Sequence, residues 1–311
     1  MAENDKKKAI KKLKKLVYNP KQSIASFREK FEETLETPFL PNRVECESTT
    51  IGGIACDVLT PDIYSKERVI LYIHGGCYIA GSPKSYRGFC SSLAFSSNTK
   101  VIIPQIRLAP KHPYPAALED LKKVLQVLYR KDPQILLGAD GSGASIALSL
   151  AFSLKCKFRT KLQQIILFSP WFDISADSEA IKCSQKKNKD KLISPEVLRR
   201  CAELYTYGSN QNQPYVSPMY ASEEMLKGLP EVYIQLGQEE LLLFDVEVFE
   251  SKLKRAGVPC TIDIWKNMIY MFQMADEYLE ESHLAMEIVG NHIKRTEITE
   301  NLLPIGDLSW N

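Results

Sequence analysis

Histidine is scarce in this chain, with only four in 311 residues, so any mechanism built on imidazole has few residues to draw on. Its eight cysteines (46, 56, 77, 90, 156, 183, 201, 260) contain no C-x-x-C pair, which leaves neither a zinc-finger spacing nor a thioredoxin-type motif. Excess charge is also missing. Lys and Arg number 40 against 38 Asp and Glu, and a net charge of +2 gives no global field of the kind nucleic-acid binding requires. No apolar run approaches the roughly 18–20 residues of a membrane span. The N-terminus, MAENDKKKAIKKLKKL, lacks the apolar centre of a signal peptide. These absences lead us to expect a soluble, cytoplasmic protein that binds no nucleic acid, no metal and no cofactor.

What is present is a long, ordinary composition, 44% hydrophobic and 25% charged, enough to bury one substantial core. Apolar, β-branched runs at 54–60, 69–73, 101–104, 135–138, 165–169, 232–236 and 261–265 alternate with helical patterns. One helical pattern carries Leu118, Leu121, Leu125 and Leu128 on one face. A second spans Ala147 to Leu154, and a third runs from Val246 to Ala256 and stops at Gly257. Short runs that are apolar throughout fit parallel strands covered on both faces. The rhythm predicts an α/β fold with a mostly parallel, doubly wound sheet. The interval 174–228 breaks that rhythm and contains a Ser194-Pro195-Glu196 helix start. We expect it, with residues 1–40, to form a helical cap over residues 41–311, at the sheet edge where such folds place ligands.

Seven lysines in the first fifteen residues, with Ile10, Leu13, Leu16 and Val17 between and after them, predict a basic amphipathic helix over 6–17. Such a helix either packs its thin apolar stripe on the domain or meets an anionic membrane surface or acidic partner. The run Lys182–Lys191 reads as an exposed loop.

Several segments carry chemistry in a fixed order. His74-Gly75-Gly76-Cys77-Tyr78 follows a strand, and adjacent glycines there can turn N–H groups toward a developing oxyanion. Next come Arg107-Leu108-Ala109-Pro110-Lys111-His112-Pro113-Tyr114-Pro115-Ala116-Ala117, then Ala139-Asp140-Gly141-Ser142-Gly143, Ser169-Pro170-Trp171, and Gly237-Gln238-Glu239-Glu240-Leu241-Leu242. In this order they resemble the hormone-sensitive-lipase-like family of α/β hydrolases, whose marks include HGGGY, YRLAPEHPFPAA-like and GDSAGG segments.

The resemblance implies an α/β-hydrolase fold with a helical cap and carboxylic-ester hydrolysis by a serine, histidine and acid. Aligned on the family pattern, the nucleophile position is Gly141, with Ser142 its neighbour. The acid position is Glu240. Tyr270 stands where the histidine belongs, and Met271 replaces the glycine after it. The N–H groups of Gly75, Gly76 and Ser142 are expected to form the oxyanion pocket, beside His74, Cys77 and Tyr78. A phenol with an ordinary pKa near 10 is a poor base at neutral pH. The reading is therefore a catalytically inactive or strongly impaired esterase-like protein that binds a small apolar or ester-like ligand beneath its cap. A weak carboxylic-ester hydrolase with an unconventional site and a scaffold or interaction protein are the alternatives, and nothing in the sequence fixes the oligomeric state.

Overall fold

In the computed structural model, residues 3–37, 40, 43–131, 133–155, 159, 161–175, 182 and 190–302 are described, with the side chains of 296–302 left aside. The elements begin with α1 (Glu3–Leu13), α2 (Ile24–Leu35), β1 (Val44–Ile51), β2 (Ile54–Pro61), β3 (Arg68–Ile73), α3 (Pro83–Ser97), β4 (Lys100–Pro104) and α4 (Ala116–Lys131). They continue with β5 (Gln134–Asp140), α5 (Ser142–Phe152), β6 (Leu162–Phe168), α6 (Pro195–Tyr205) and α7 (Glu223–Leu226). The last are β7 (Glu231–Gly237), α8 (Leu243–Arg255), β8 (Cys260–Trp265) and α9 (Glu280–Leu302).

Eight strands form one sheet in the order β1-β2-β4-β3-β5-β6-β7-β8. β1, β2 and β4 pair antiparallel, and every pairing from β4 across to β8 is parallel. The expected parallel strands are all present. β3, Arg-Val-Ile-Leu-Tyr-Ile, is buried at every position, and β5, β6 and β7 are nearly so, as a sheet sandwiched between helices requires. β1 was not expected from sequence. Its residues Val-Glu-Cys-Glu-Ser-Thr-Thr-Ile bury only Val44, so an edge strand in a hairpin with β2 carries almost no apolar signal.

The helices follow the expected patterns with ends shifted by a few residues. α4 buries Leu118, Leu121, Leu125 and Leu128 together with Val124, and α5 is buried along its whole length. α8 ends before Gly257, whose φ of +71° suits a glycine beyond a helix end. Ser194 caps α6, accepting a hydrogen bond from the Val197 N–H, with Pro195 in the first turn. Most of the expected lysine-rich loop, 183–189, lies outside the described residues.

The basic N-terminal segment is helical, as α1 followed by a 3-10 turn over Lys14–Leu16. Its apolar stripe is spent on the domain: Ala9, Leu13, Leu16 and Val17 are buried. Lys6 donates to Glu239 and to the Asn267 carbonyl at 3.1 and 2.6 Å, and Lys12 pairs with Glu277 at 2.5 Å. α2 then runs beside the functional end of the sheet, where the Arg28 guanidinium donates to the carbonyls of Ile79 (2.6 Å) and Ala109 (2.9 Å). No helix among the described residues is long and apolar enough to cross a membrane.

Candidate active site

The carboxyl ends of β3, β5, β6, β7 and β8 bring the sequence-separated segments to one edge of the sheet. This is where open α/β sheets hold ligands. β3 delivers the His74–Tyr78 turn, β5 the Asp140-Gly141-Ser142 elbow, β6 Ser169 and Trp171, β7 Glu240, and β8 the loop carrying Tyr270.

The elbow turns sharply from strand to helix at Gly141. Gly141 adopts φ +47° and ψ −121°, a region that costs an L-residue on the order of 1–3 kcal/mol. Its N–H donates to the Phe168 carbonyl and its own carbonyl accepts from the Trp171 N–H, both at 3.0 Å. Two residues on, Gly143 lets α5 start directly over β3, since a Cβ there would collide with the carbonyl oxygens of Ile73 and His74. The space a serine side chain would take is filled. A Cβ built on Gly141 falls within contact of only one residue, Tyr270, overlapping its hydroxyl oxygen and lying 3.5 Å from its Cζ.

Tyr270 therefore reaches from the base position into the nucleophile position. Burial, followed by the negative charge of neighbours including Asp140 and Glu240, holds its phenol well above the ordinary value of 10, so it stays protonated. None of the four histidines lines the small cavity here. His74 is buried against Tyr86 with Nδ1 2.9 Å from the Gly75 carbonyl oxygen, and burial pushes its pKa down to about 4. His292 lies 3.3 Å from Glu231 at the opposite end of β7, and His283 contacts the Asp276 carbonyl. His112 remains in its half-buried loop.

Glu240 occupies its expected place and is turned to other partners. One carboxyl oxygen accepts from the Gly237 N–H at 2.5 Å and the Ser169 hydroxyl at 2.8 Å. The other is buried with no hydrogen-bond partner among the described residues. Desolvation pushes its pKa up to about 8, so the acid is largely neutral at pH 7. Ser169 Oγ in turn accepts from the Met271 N–H at 3.1 Å. Cys77, Tyr78, Ser169 and Met271 all have positive φ, between 44° and 64°. Strained backbone thus surrounds the elbow on several sides.

The oxyanion expectation needs one correction. The Gly75 N–H faces away from any substrate, donating to Asp140 Oδ1 at 2.9 Å and to the Tyr86 hydroxyl at 3.1 Å. Asp140 is a buried hub that also accepts from Tyr72 (3.1 Å) and Tyr86 (2.9 Å), and burial raises it to about 7 against those donors. Among the described residues no acceptor partners the N–H of Gly76 or Cys77, so these two remain the candidate donors with Ser142. Ser142 is buried and its Oγ accepts from the Tyr78 N–H at 3.0 Å, which commits that oxygen to the turn. Tyr78 itself is structural, stacked on Tyr205 at 3.9 Å, beside Trp171 and hydrogen-bonded to Ser145.

Sequence reasoning assigned no role to Asp140, Tyr86 or Ser169. The aspartate stands inside the elbow motif and Ser169 inside the Ser169-Pro170-Trp171 segment, so both could have been flagged there, whereas Tyr86 carries no local signal. Cys77, Ser142, Trp171, Ile193, Val197, Leu198, Leu242 and Tyr270 enclose a cavity at the elbow of about 10 Å³, roughly the minimum that holds one water. A larger concavity of about 800 Å³ runs between α2, α3 and α9 and shares no residue with the elbow. No cluster of metal-ligating side chains is present among the described residues.

With this geometry in view, comparison with known proteins is decisive about ancestry. The alpha/beta hydrolase fold family matches residues 70–274. An acetyl-hydrolase of Streptomyces hygroscopicus is 31% identical over 81% of this chain and 83% of its own length. An esterase of Acinetobacter venetianus is 33% identical over 71% and 73%. The solved structure of an esterase from the bacterial hormone-sensitive lipase family superposes with a TM-score of 0.85 at 26% identity, covering 95% of this chain and 99% of that one. The chain belongs to the alpha/beta hydrolase family, on its hormone-sensitive-lipase-like branch.

Proposed function

We propose that this chain is a catalytically inactive or strongly impaired member of its esterase family. One observation carries the reading: the Tyr270 hydroxyl occupies the volume above Gly141 where the attacking side chain would stand. Ser142 does not substitute, because its Oγ is held by the Tyr78 N–H and no imidazole lines the cavity to take its proton. A positioned nucleophile and base are both needed for acyl transfer at neutral pH.

Of the non-hydrolytic alternatives, the packing favours an interaction protein. A cavity of about 10 Å³ is far below the few hundred Å³ of ordinary ligand pockets, so a small apolar or ester-like ligand would enter only if Tyr270 and α6 withdrew. Attachment of residues 6–17 to an anionic membrane or acidic partner would rest on lysine charge alone, since their apolar residues are packed inward. The test is hydrolysis of p-nitrophenyl acetate and butyrate. The wild type is expected to stay within about 10³–10⁴ of the water rate, the level left by binding and oxyanion contacts, and to match the Ser142→Ala/Cys77→Ala double variant. A wild-type rate that falls tenfold or more in that variant would overturn the proposal.

A further inference from the structure

The turn at Cys77 and helix α6 bring two thiols together that no hydrolytic step uses. α6 presents Val197, Leu198, Cys201, Ala202 and Tyr205 as its buried face. Val197 and Leu198 share the elbow cavity with Cys77, and one turn beyond Cys201 the Tyr205 ring stacks on Tyr78, the residue after Cys77, at 3.9 Å. Cys201 lies between these two contacts on the same buried helix face, one turn from each, which sets it against the turn that carries Cys77. The Tyr114 N–H, bonded to the Tyr205 carbonyl at 2.9 Å, and the Ala109 N–H, bonded to the Tyr78 carbonyl at 3.1 Å, brace both sides of the junction.

We propose that Cys77 and Cys201 form a peroxide-sensitive dithiol whose oxidation to a disulfide staples α6 to the His74–Tyr78 turn. The sulfurs differ in reactivity. The Cys201 thiol, as hydrogen-bond donor, holds Cys77 below its ordinary range against the opposing effect of burial, while burial drives Cys201 well up. Cys77 is thus the attacking thiolate. Its sulfur takes one oxygen from hydrogen peroxide, breaking the O–O bond and releasing hydroxide, which leaves as water on protonation. Cys201 then attacks the sulfenic sulfur, forming the S–S bond and expelling a second water, so two thiols and one peroxide give one disulfide and two waters. The cavity beside Cys77 has the size of one small polar molecule. A bridge between positions 77 and 201 closes a loop of about 120 residues, a length at which a cross-link strongly restricts the unfolded chain. The inference is independent of whether the site hydrolyses anything.

The experiment treats the folded full-length chain with hydrogen peroxide, blocks remaining thiols under denaturing conditions and maps peptides by mass spectrometry. The expected product is a Cys77–Cys201 peptide pair about 2 Da lighter than its reduced form, restored by dithiothreitol. Its formation should raise Tm by about 5 °C. In Cys201→Ala, Cys77 should accumulate sulfenic acid trapped by dimedone, and in Cys77→Ala, Cys201 should remain fully alkylatable. If in the wild type both thiols stay alkylatable after peroxide, or either is oxidised alone or bridged to a different cysteine, the proposal fails. Because the decisive mapping is done on the wild type, a variant that does not fold leaves it testable.

Discussion

At the scale of single residues, the sheet edge buries titratable groups, and their burial has a measurable consequence. Glu240 moves from an ordinary 4.5 to about 8 and Asp140 from 3.8 to about 7. Across those intervals the folded chain holds protons that the unfolded chain has lost, so their stabilisation is full at low pH and disappears as pH rises through the folded values. His74, lowered from 6.5 to about 4, acts in the opposite sense, and its contribution is lost only as pH falls below 6.5. Of these three groups, the two carboxyls dominate between pH 6.5 and 8.5. Unfolding free energy from urea titrations should therefore drop by about 2 kcal/mol over that range, at up to about 1.4 kcal/mol per pH unit per group. Glu240→Gln keeps an oxygen for the Gly237 and Ser169 donors and should lose most of that decline. Stability that is flat or rises with pH in the wild type would show that Glu240 is ionised in the fold.

At the scale of elements, the elbow after β5 and the loop after β8 interlock although 129 positions separate Gly141 from Tyr270. Gly141 and Tyr270 were both singled out in the sequence, because each falls at a fixed place in a local motif. Their complementarity was not legible, since it exists only when two strand ends meet across the sheet. The same limit explains the Gly75 N–H, which the glycine pattern suggested for substrate and which the buried Asp140 and Tyr86 side chains capture instead. β1 escaped notice for a different reason, having little burial to imprint on its composition. The interlock predicts energetic coupling. Gly141→Ser alone must displace the Tyr270 hydroxyl and carry a side chain at φ +47°, and should destabilise by about 1–3 kcal/mol. Adding Tyr270→His, which shortens the opposing side chain, should recover about 1 kcal/mol or more of that loss. A double-mutant cycle measures this directly, and strict additivity would mean that the two positions do not touch.

At the scale of the whole molecule, the architecture is that of a solved esterase of the bacterial hormone-sensitive lipase family, which superposes across 95% of the chain. The core consists of apolar strands and helices whose periodicity the sequence displays, and it does not depend on which residues stand at the elbow. The basic N-terminal helix illustrates the same economy, its lysines outermost and its few apolar residues completing the domain beside the β8 loop. The most direct test of the proposed inactivity is the intact mass of the folded chain after incubation with a fluorophosphonate, which reacts covalently with an activated serine. A chain with Gly141 beneath the Tyr270 phenol should show no adduct at any time at which an active relative is fully labelled. One phosphonyl group per chain, mapped to Ser142 and absent from Ser142→Ala, would contradict this and restore the protein to the active esterases.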